Sequence, residues 1–212
     1  MDDDQVAVGR RARAKQDKHQ RILEAARGLF AELGVSTVTT QQVADRADVA
    51  IGTLFRYAST KAELLIMVQN EKFAAAIQEG LAAGERAGPQ GAVDDVLTLL
   101  RPVVACVREH VENGRTYLHE LVVGDPEEPY RQAGLELSAR LEAGVAATLV
   151  RARDVTPGDA GTLARVVSAV LHLSLTATLT DGTSLDDVLA DIRAQLRAVL
   201  DPLAPAVGRR AV

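Results

Sequence analysis

The chain has 212 residues, of which 47% are hydrophobic and 25% are charged. This composition is sufficient for a packed core and is not that of a disordered protein. Cys106 is the only cysteine, which excludes an intrachain disulfide and a cysteine-based zinc cluster. The acidic first residues resemble no signal peptide, and polar side chains interrupt the apolar run over 166–179. We therefore expect a soluble, cytoplasmic protein without a membrane span.

Charge is unevenly distributed along the chain. The formal net charge is −5, yet residues 10–61 contain ten Lys and Arg against five Asp and Glu, a net of +5. A basic end on an acidic body is typical of a protein whose end contacts a polyanion. Chance clustering on a solvated face explains the same counts, so composition alone does not decide between them.

Apolar residues recur at helical spacing throughout, whereas the alternation typical of strands is scarce. We predict an all-α fold of about nine helices. A three-helix N-terminal unit is predicted over 16–60 and a helical domain over 61–204, with a flexible arm over 1–15 and a frayed tail over 205–212. The first helix is predicted over 16–33. Further on, we predict a helix over 92–113, kinked by Pro102, and a short helix over 115–123 after a break at Gly114.

Helix starts are indicated by polar residues at capping spacing, and one residue is suited to a tight turn. Asp48 tolerates a left-handed backbone conformation and is predicted to form the turn between the second and third helices. The predicted caps are Thr39 with Gln42, Thr60 with Glu63, Thr156 followed by Pro157, and Ser184 with Asp187.

Residues 39–57 have the spacing of a helix-turn-helix: an eight-residue helix, a short turn and a short helix predicted over 50–57. In such a unit one helix enters the major groove while its partner crosses the DNA backbone. The same pattern fits a three-helix cap that has no role in DNA binding.

The match to a known family covers about 40 residues without a gap. Residues 25–65 read AARGLFAELGVSTVTTQQVADRADVAIGTLFRYASTKAELL, and this segment resembles the DNA-binding domain of the TetR family of transcriptional regulators. Asp48 stands where the family usually has glycine, Phe55 replaces the usual tyrosine, and Ala58 replaces a large aromatic residue.

The resemblance implies DNA contacts around the recognition helix. We predict that Thr40 holds a phosphate through its hydroxyl and the helix N-terminus, and that Thr53 contacts a base edge. Lys61 is predicted to clamp a phosphate, although an ordinary solvated lysine fits as well. The full predicted set is Thr39, Thr40, Gln41, Ala50, Ile51, Gly52, Thr53, Phe55, Arg56, Tyr57 and Lys61.

Basic residues also precede the first helix. The arm over 10–15, with Lys18 and Arg21, is predicted to be disordered alone and to order against phosphates or in a minor groove. A tail that only improves solubility is the alternative.

The resemblance further implies a homodimer joined through the last two helices. Segments 163–179 and 185–203 carry broad apolar surfaces, which either form this dimer or pack inside one subunit. It also implies a small-molecule effector in a pocket between the middle helices. His172 fits a satisfied core histidine as well as a ligand contact, and Cys106 an inert buried thiol. The candidate pocket residues are Val103, Cys106, Val107, His110, Tyr117, Leu121, Leu137, Leu141, His172 and Thr176.

We therefore interpret the chain as a DNA-binding transcriptional regulator, a repressor that an effector of unknown identity releases from a palindromic operator. No cofactor, metal site or enzymatic activity is expected, since common catalytic and metal-binding motifs are absent from the sequence. The alternative is an all-α ligand-binding or scaffold protein without DNA binding, against which the basic charge of residues 10–61 argues. The sequence does not separate repression from activation.

Overall fold

In the computed structural model the described residues are 3–152, 156–177 and 182–201, with side chains described from residue 12 onward. These ranges contain nine α-helices and no strand, which confirms the predicted fold class. None of these helices combines the length and the hydropathy that a membrane crossing requires. The helices are α1 (Asp3–Leu33), α2 (Thr40–Arg46), α3 (Ile51–Leu54), α4 (Lys61–Ala87), α5 (Ala92–Arg108), α6 (Val111–Val123), α7 (Pro129–Ala152), α8 (Pro157–Thr176) and α9 (Leu185–Leu200).

The chain divides into two compact units. The first comprises the described residues up to 71 together with residues 112–134, and the second comprises residues 72–111 and the described residues from 135 onward. Helices α4 and α7 each contribute a segment to both units. The three-helix unit predicted over 16–60 lies within the first.

The first unit is built on the apolar face of α1. Ile22 and Phe30 of α1 are buried, and α1 packs against α2, which in turn packs against α3. Val43 contributes from α2 and Leu54 from α3, both at 1% exposure or less. Since each such side chain stabilises the fold by about 1.5–3 kcal/mol when buried, the short helix α3 is held mainly by Leu54.

Helix α1 begins at Asp3 rather than near residue 16, so the prediction of an arm that is disordered alone was wrong for residues 3–15. The segment contains three Ala and three Arg, which favour helix, and extending an existing helix costs much less than starting one. Residues 1 and 2 lie outside the described residues.

The break between α5 and α6 falls at Glu109 and His110, and Gly114 lies inside α6. The predicted break at Gly114 was therefore wrong. Helix α5 also passes through Pro102 without ending. Tertiary hydrogen bonds explain the earlier start of α6, because Asn113 in its first turn bonds to the backbone of Phe30 and Val35.

The second unit is built on α5, which packs against α9 and α8. The apolar stripe of α9 is largely buried in this packing, including Val188, Ile192 and Leu196. Much of the surface that was expected to form a dimer interface therefore lies inside the subunit. Leu203 and the predicted end of α8 at residue 180 lie outside the described residues.

The predicted caps are present, one of them with a changed partner. Thr39 with Gln42 and Ser184 with Asp187 form complete capping boxes, and Thr156 caps α8 with proline following. The Thr60 hydroxyl accepts from the Glu63 backbone N–H as predicted. The Glu63 carboxylate, however, accepts from the backbone of Ser59 rather than of Thr60.

Two glycines of α4 provide a matched test of packing in the second unit. A Cβ on Gly80 would lie 2.1 Å from the carbonyl oxygen of Leu99 in α5, whereas one on Gly84 would meet no atom within 4 Å. We expect Gly80→Ala to lower the free energy of unfolding by about 1–3 kcal/mol, because backbone must move. Gly84→Ala is expected to raise it by about 0.5–1 kcal/mol. Urea unfolding of both variants checks this, and shifts of the same sign would contradict it.

Candidate nucleic-acid interface

Helices α2 and α3 meet across a tight turn whose left-handed residue is Asp48. Its φ is +52°, as the sequence predicted, and the turn is closed by a 3.0 Å hydrogen bond from Val49 N–H to the Ala44 carbonyl. Arg21 of α1 donates to both the carbonyl and the carboxylate of Asp48, at 3.3 and 3.4 Å. The aspartate carboxylate thus adds a bond to Arg21 that a glycine at this position could not make.

The recognition segment is helical over a shorter range than predicted. α3 ends at Leu54, and the following residues continue in tighter i→i+3 bonds, from Arg56 N–H to Thr53 and from Tyr57 N–H to Leu54. The prediction of a helix over 50–57 is therefore confirmed only to Leu54. Because α4 starts at Lys61, only a short segment connects α3 to α4. The same segment must also provide the cap of α4.

Most of the predicted DNA contacts around this segment face solvent. Gly52 is exposed and helical, and a Cβ there would meet no atom within 4 Å. Gln41 is exposed, but its amide already donates to Asp45 at 2.7 Å. The exposed members of the set are Thr39, Gln41, Ala50, Gly52, Phe55 and Arg56, and the half-buried ones are Thr40, Ile51, Thr53, Tyr57 and Lys61.

Several arginines of the first unit are neutralised within it. Arg21 pairs with Asp17 and Asp48. Arg27 pairs with Glu71, and Arg46 with Glu32. The basic side chains without an acidic partner among the described side chains of this unit include Arg13, Lys15, Lys18 and Arg56. The surplus positive charge is therefore concentrated on the N-terminal part of α1 and beside α3.

Three of these cations line one groove. The groove has a volume of about 450 Å3 and is lined by Ala14, Lys15, Lys18, Arg56 and Tyr57; we call it the basic groove. The Tyr57 hydroxyl donates to the Lys15 carbonyl at 3.0 Å and so joins the recognition segment to α1. Cationic side chains with no acid nearby are suited to the phosphates of a nucleic acid backbone.

Lys61 has a different environment from the one expected of a phosphate clamp. Its ammonium donates to the carbonyls of Val35, Ser36 and Val38 at 2.8, 3.3 and 3.1 Å. These bonds use all three N–H donors of a lysine. A cation at the start of a helix is unfavourable by itself, and the carbonyls that follow α1 account for it without a bound anion.

Asn113 of α6 holds the same α1–α2 connection, and sequence reasoning missed it. Its amide donates to the Phe30 carbonyl at 2.7 Å and accepts from Val35 N–H at 2.8 Å, and the side chain is 3% exposed. The neighbouring Glu112 accepts from Ser36 N–H at 2.8 Å. No local signal could have found these contacts, because the partners lie far apart in the sequence.

The candidate effector residues are divided between the two units. Tyr117 and Leu121 belong to the first, and the other eight belong to the second. Two cavities of the second unit, of about 520 and 330 Å3, are lined by other residues. Burial raises the pKa of Cys106 to about 11, so its thiol stays protonated near neutral pH and reacts slowly. The effector set stays a prediction.

Comparison with known proteins identifies the helix-turn-helix segment. The family profile described as bacterial regulatory proteins, tetR family, matches residues 22–68, a range that contains α2, the turn at Asp48 and α3. Residues 22–68 therefore form a TetR-family DNA-binding segment. Over 60 residues this chain is 40% identical to the transcriptional repressor KstR of Mycobacterium tuberculosis and to that of Rhodococcus jostii. The alignments cover 28% of this chain and 27% and 28% of the two repressors.

Solved structures of TetR-family proteins share the fold over most of the chain. A TetR regulator from Rhodococcus sp. RHA1 has a TM-score of 0.66 at 21% identity, covering 90% of this chain and 100% of that one. FadR of Thermus thermophilus, a TetR-family repressor in complex with lauroyl-CoA, has a TM-score of 0.68 at 21% identity, covering 92% and 99%. At these identities the likeness shows the fold alone.

Lys61 and Lys18 offer contrasting substitutions. We expect Lys61→Met to lower the free energy of unfolding by about 1–3 kcal/mol, because buried carbonyls lose their donors, and to leave the salt dependence of DNA binding unchanged. Lys18→Ala should leave stability unchanged and reduce the slope of log affinity against log salt by about one. Thermal unfolding and fluorescence anisotropy measure the two effects. A Lys61→Met variant of full stability with a reduced slope would restore the phosphate clamp.

Proposed function

We propose that the protein is a sequence-specific DNA-binding transcriptional regulator, and that it represses until a small-molecule effector releases it from its operator. The observation that carries this proposal is the basic groove, where Lys15, Lys18 and Arg56 have no acidic partner among the described side chains and lie beside an exposed recognition segment. Such a surplus favours a polyanion at this face. The KstR proteins that share the segment are repressors, which supports repression rather than activation.

In this proposal α3 enters the major groove while the basic groove follows the backbone. Ala50, Gly52 and Phe55 lie closest to the bases, and the exposed Phe55 ring suits contact with a thymine methyl. Thr40, half-buried in the first turn of α2, offers its hydroxyl and the helix N-terminus to a phosphate. Lys61 is omitted from the contacts, since its donors are used within the protein.

We also propose a homodimer, formed through the exposed faces of α8 and α9. Val166, Ala169 and Leu173 are exposed along α8 at helical spacing, and Leu173 reaches 64% exposure. Along α9 the exposed residues include Ala190, Ala194 and Ala198, whose small side chains allow close helix approach. Two subunits would present two recognition segments to half-sites about 34–36 Å apart on a palindromic operator.

The effector is proposed to be a small molecule bound by the helical body, with a regulatory rather than a catalytic role for the protein. The TetR-family FadR of Thermus thermophilus was solved with lauroyl-CoA, which supports a small-molecule ligand for a protein of this fold. The residues predicted from the sequence, among them Val103, Val107 and Leu141, are the first positions to substitute once a ligand is known.

The DNA-binding function is tested by selection. Purified protein is incubated with a random duplex library at low salt, and retained duplexes are amplified over several rounds. We expect enrichment of a palindrome whose affinity falls steeply with salt. Retention of no duplex at low salt would contradict the proposal and favour the ligand-binding or scaffold alternative.

Gly52→Ala separates DNA binding from folding. The added methyl has open space in the protein and favours helix, so stability should be unchanged or higher by up to about 1 kcal/mol. The same methyl would stand between α3 and the bases, and we expect affinity for the selected duplex to fall about tenfold. Gly84→Ala, the same change in open space on α4, serves as the control. Unchanged affinity in Gly52→Ala would remove α3 from the major groove.

Leu173→Asp tests the dimer. A carboxylate on the exposed face of α8 would be desolvated in the interface, so the variant should sediment as a monomer at micromolar concentration while the unaltered chain sediments as a dimer. Val122→Asp is the matched control, because Val122 is 68% exposed on α6 and lies outside the proposed interface. A dimeric Leu173→Asp variant would place the interface elsewhere.

A further inference from the structure

A row of hydrogen-bonded side chains crosses the first unit from α6 to α1. The Tyr117 hydroxyl of α6 donates to Asn70 Oδ1 of α4 at 3.0 Å. The Asn70 amide donates to the Tyr130 carbonyl in the first turn of α7 at 2.7 Å. The Tyr130 hydroxyl then shares a 2.9 Å hydrogen bond with Nε2 of His19 on α1. Four helices are thus joined by four side chains.

The α1 end of this row lies beside the basic groove. The centre of the His19 ring is 5.9 Å from that of Tyr57 and 6.3 Å from that of Tyr130. Tyr57 in turn donates to the carbonyl of Lys15, one helical turn before His19. Tyr57 and Lys15 both line the basic groove, so His19 stands between Tyr130 and two groups proposed to face DNA.

The inner end of the row is tightly packed. Tyr117 is 1% exposed. A Cβ on Gly134 of α7 would lie 2.5 Å from Leu121 Cδ2 and 2.8 Å from Asn70 Oδ1, so a larger residue there would force the side chains of Leu121 and Asn70 to shift. Because its inner end has little room to shift, the row holds Tyr130 in one position relative to α4 and α6.

The Tyr130 hydroxyl is kept protonated and available for hydrogen bonding. Burial raises the pKa of Tyr130, and the nearby Glu63 and Tyr57 raise it further. His19 is only half-buried, so the contact between them lies at the margin of the core. A bond at that margin adds little to the stability of the fold, yet it restrains the ring next to Tyr57.

We propose that His19 and Tyr130 are positioning residues for DNA binding, which set the place of Tyr57 and of the α1 turn that carries Lys15 and Lys18. The inference rests on the proposed DNA-binding function. Neither residue contacts DNA in this scheme. Their bond restrains the recognition segment against α7, so that the cations of the basic groove and the exposed face of α3 meet the duplex together.

Removal of the bond should affect specific binding selectively. Tyr130→Phe deletes only the hydroxyl, and His19→Ala deletes the ring. Each is expected to weaken binding to the selected duplex about three- to tenfold, the scale of one hydrogen bond. Binding to an unrelated duplex should change less than about twofold, and the free energy of unfolding should fall by no more than about 1 kcal/mol. His19→Gln retains an amide and should recover part of the loss. Gln20→Ala is the control, since among the described residues the Gln20 side chain bonds only to Glu24 in the exposed face of α1.

The double variant Tyr130→Phe, His19→Ala tests whether the two residues act through one contact. We expect its loss to be no greater than that of the larger single variant, because interacting residues are not additive. Additive losses, full affinity in both single variants, or equal losses on both duplexes with a lowered unfolding midpoint would overturn the inference. In the same assay, an unaltered chain that binds no duplex overturns the proposed function as well. An unaltered chain that binds while the variants bind equally well overturns the positioning role alone.

Discussion

The arrangement of α2 and α3 depends on how the backbone between α1 and α2 is held. In the connection that follows α1, Lys61 of α4 donates to the carbonyls of Val35, Ser36 and Val38. Asn113 of α6 bonds to the Phe30 carbonyl and the Val35 N–H. This small polar cluster fixes where the Thr39 cap lies and hence where α2 begins. Since α3 is only four residues long and is anchored by Leu54, its placement depends on α2.

Electrostatics in the first unit divides the basic residues into two groups. Arg21, Arg27 and Arg46 are used for internal ion pairs, which are worth little at an exposed surface but orient the helices. Lys15, Lys18 and Arg56 have no acidic partner among the described side chains, and they line the basic groove. The sequence shows that the N-terminal region has excess positive charge. Because the other arginines are paired within the unit, this excess is concentrated at the basic groove, and the proposed function therefore rests on the groove.

The apolar stripe of α9 has the predicted helical periodicity, but it packs against helices of the same subunit. Its apolar residues were expected to offer a dimer surface, yet Val188, Ile192 and Leu196 pack inside the second unit. The opposite face of α9, which carries exposed alanines, and the exposed Leu173 of α8 are not covered by this packing. Hydrophobic periodicity identifies a buried face but does not say whether the same chain or a second copy covers it.

Local patterns determined much of this protein without the structure: the all-α class, the caps at Thr39, Thr156 and Ser184, and the left-handed turn at Asp48. Each follows from interactions within about four residues, which a sequence displays directly. Contacts between distant residues were decided only by the tertiary structure. Asn113 starts α6 earlier than Gly114 suggested because its partners come from α1 and the connection after it, and Lys61 binds carbonyls because α4 brings it beside them. His19 and Tyr130 meet for the same reason, since only packing places α1 against the first turn of α7.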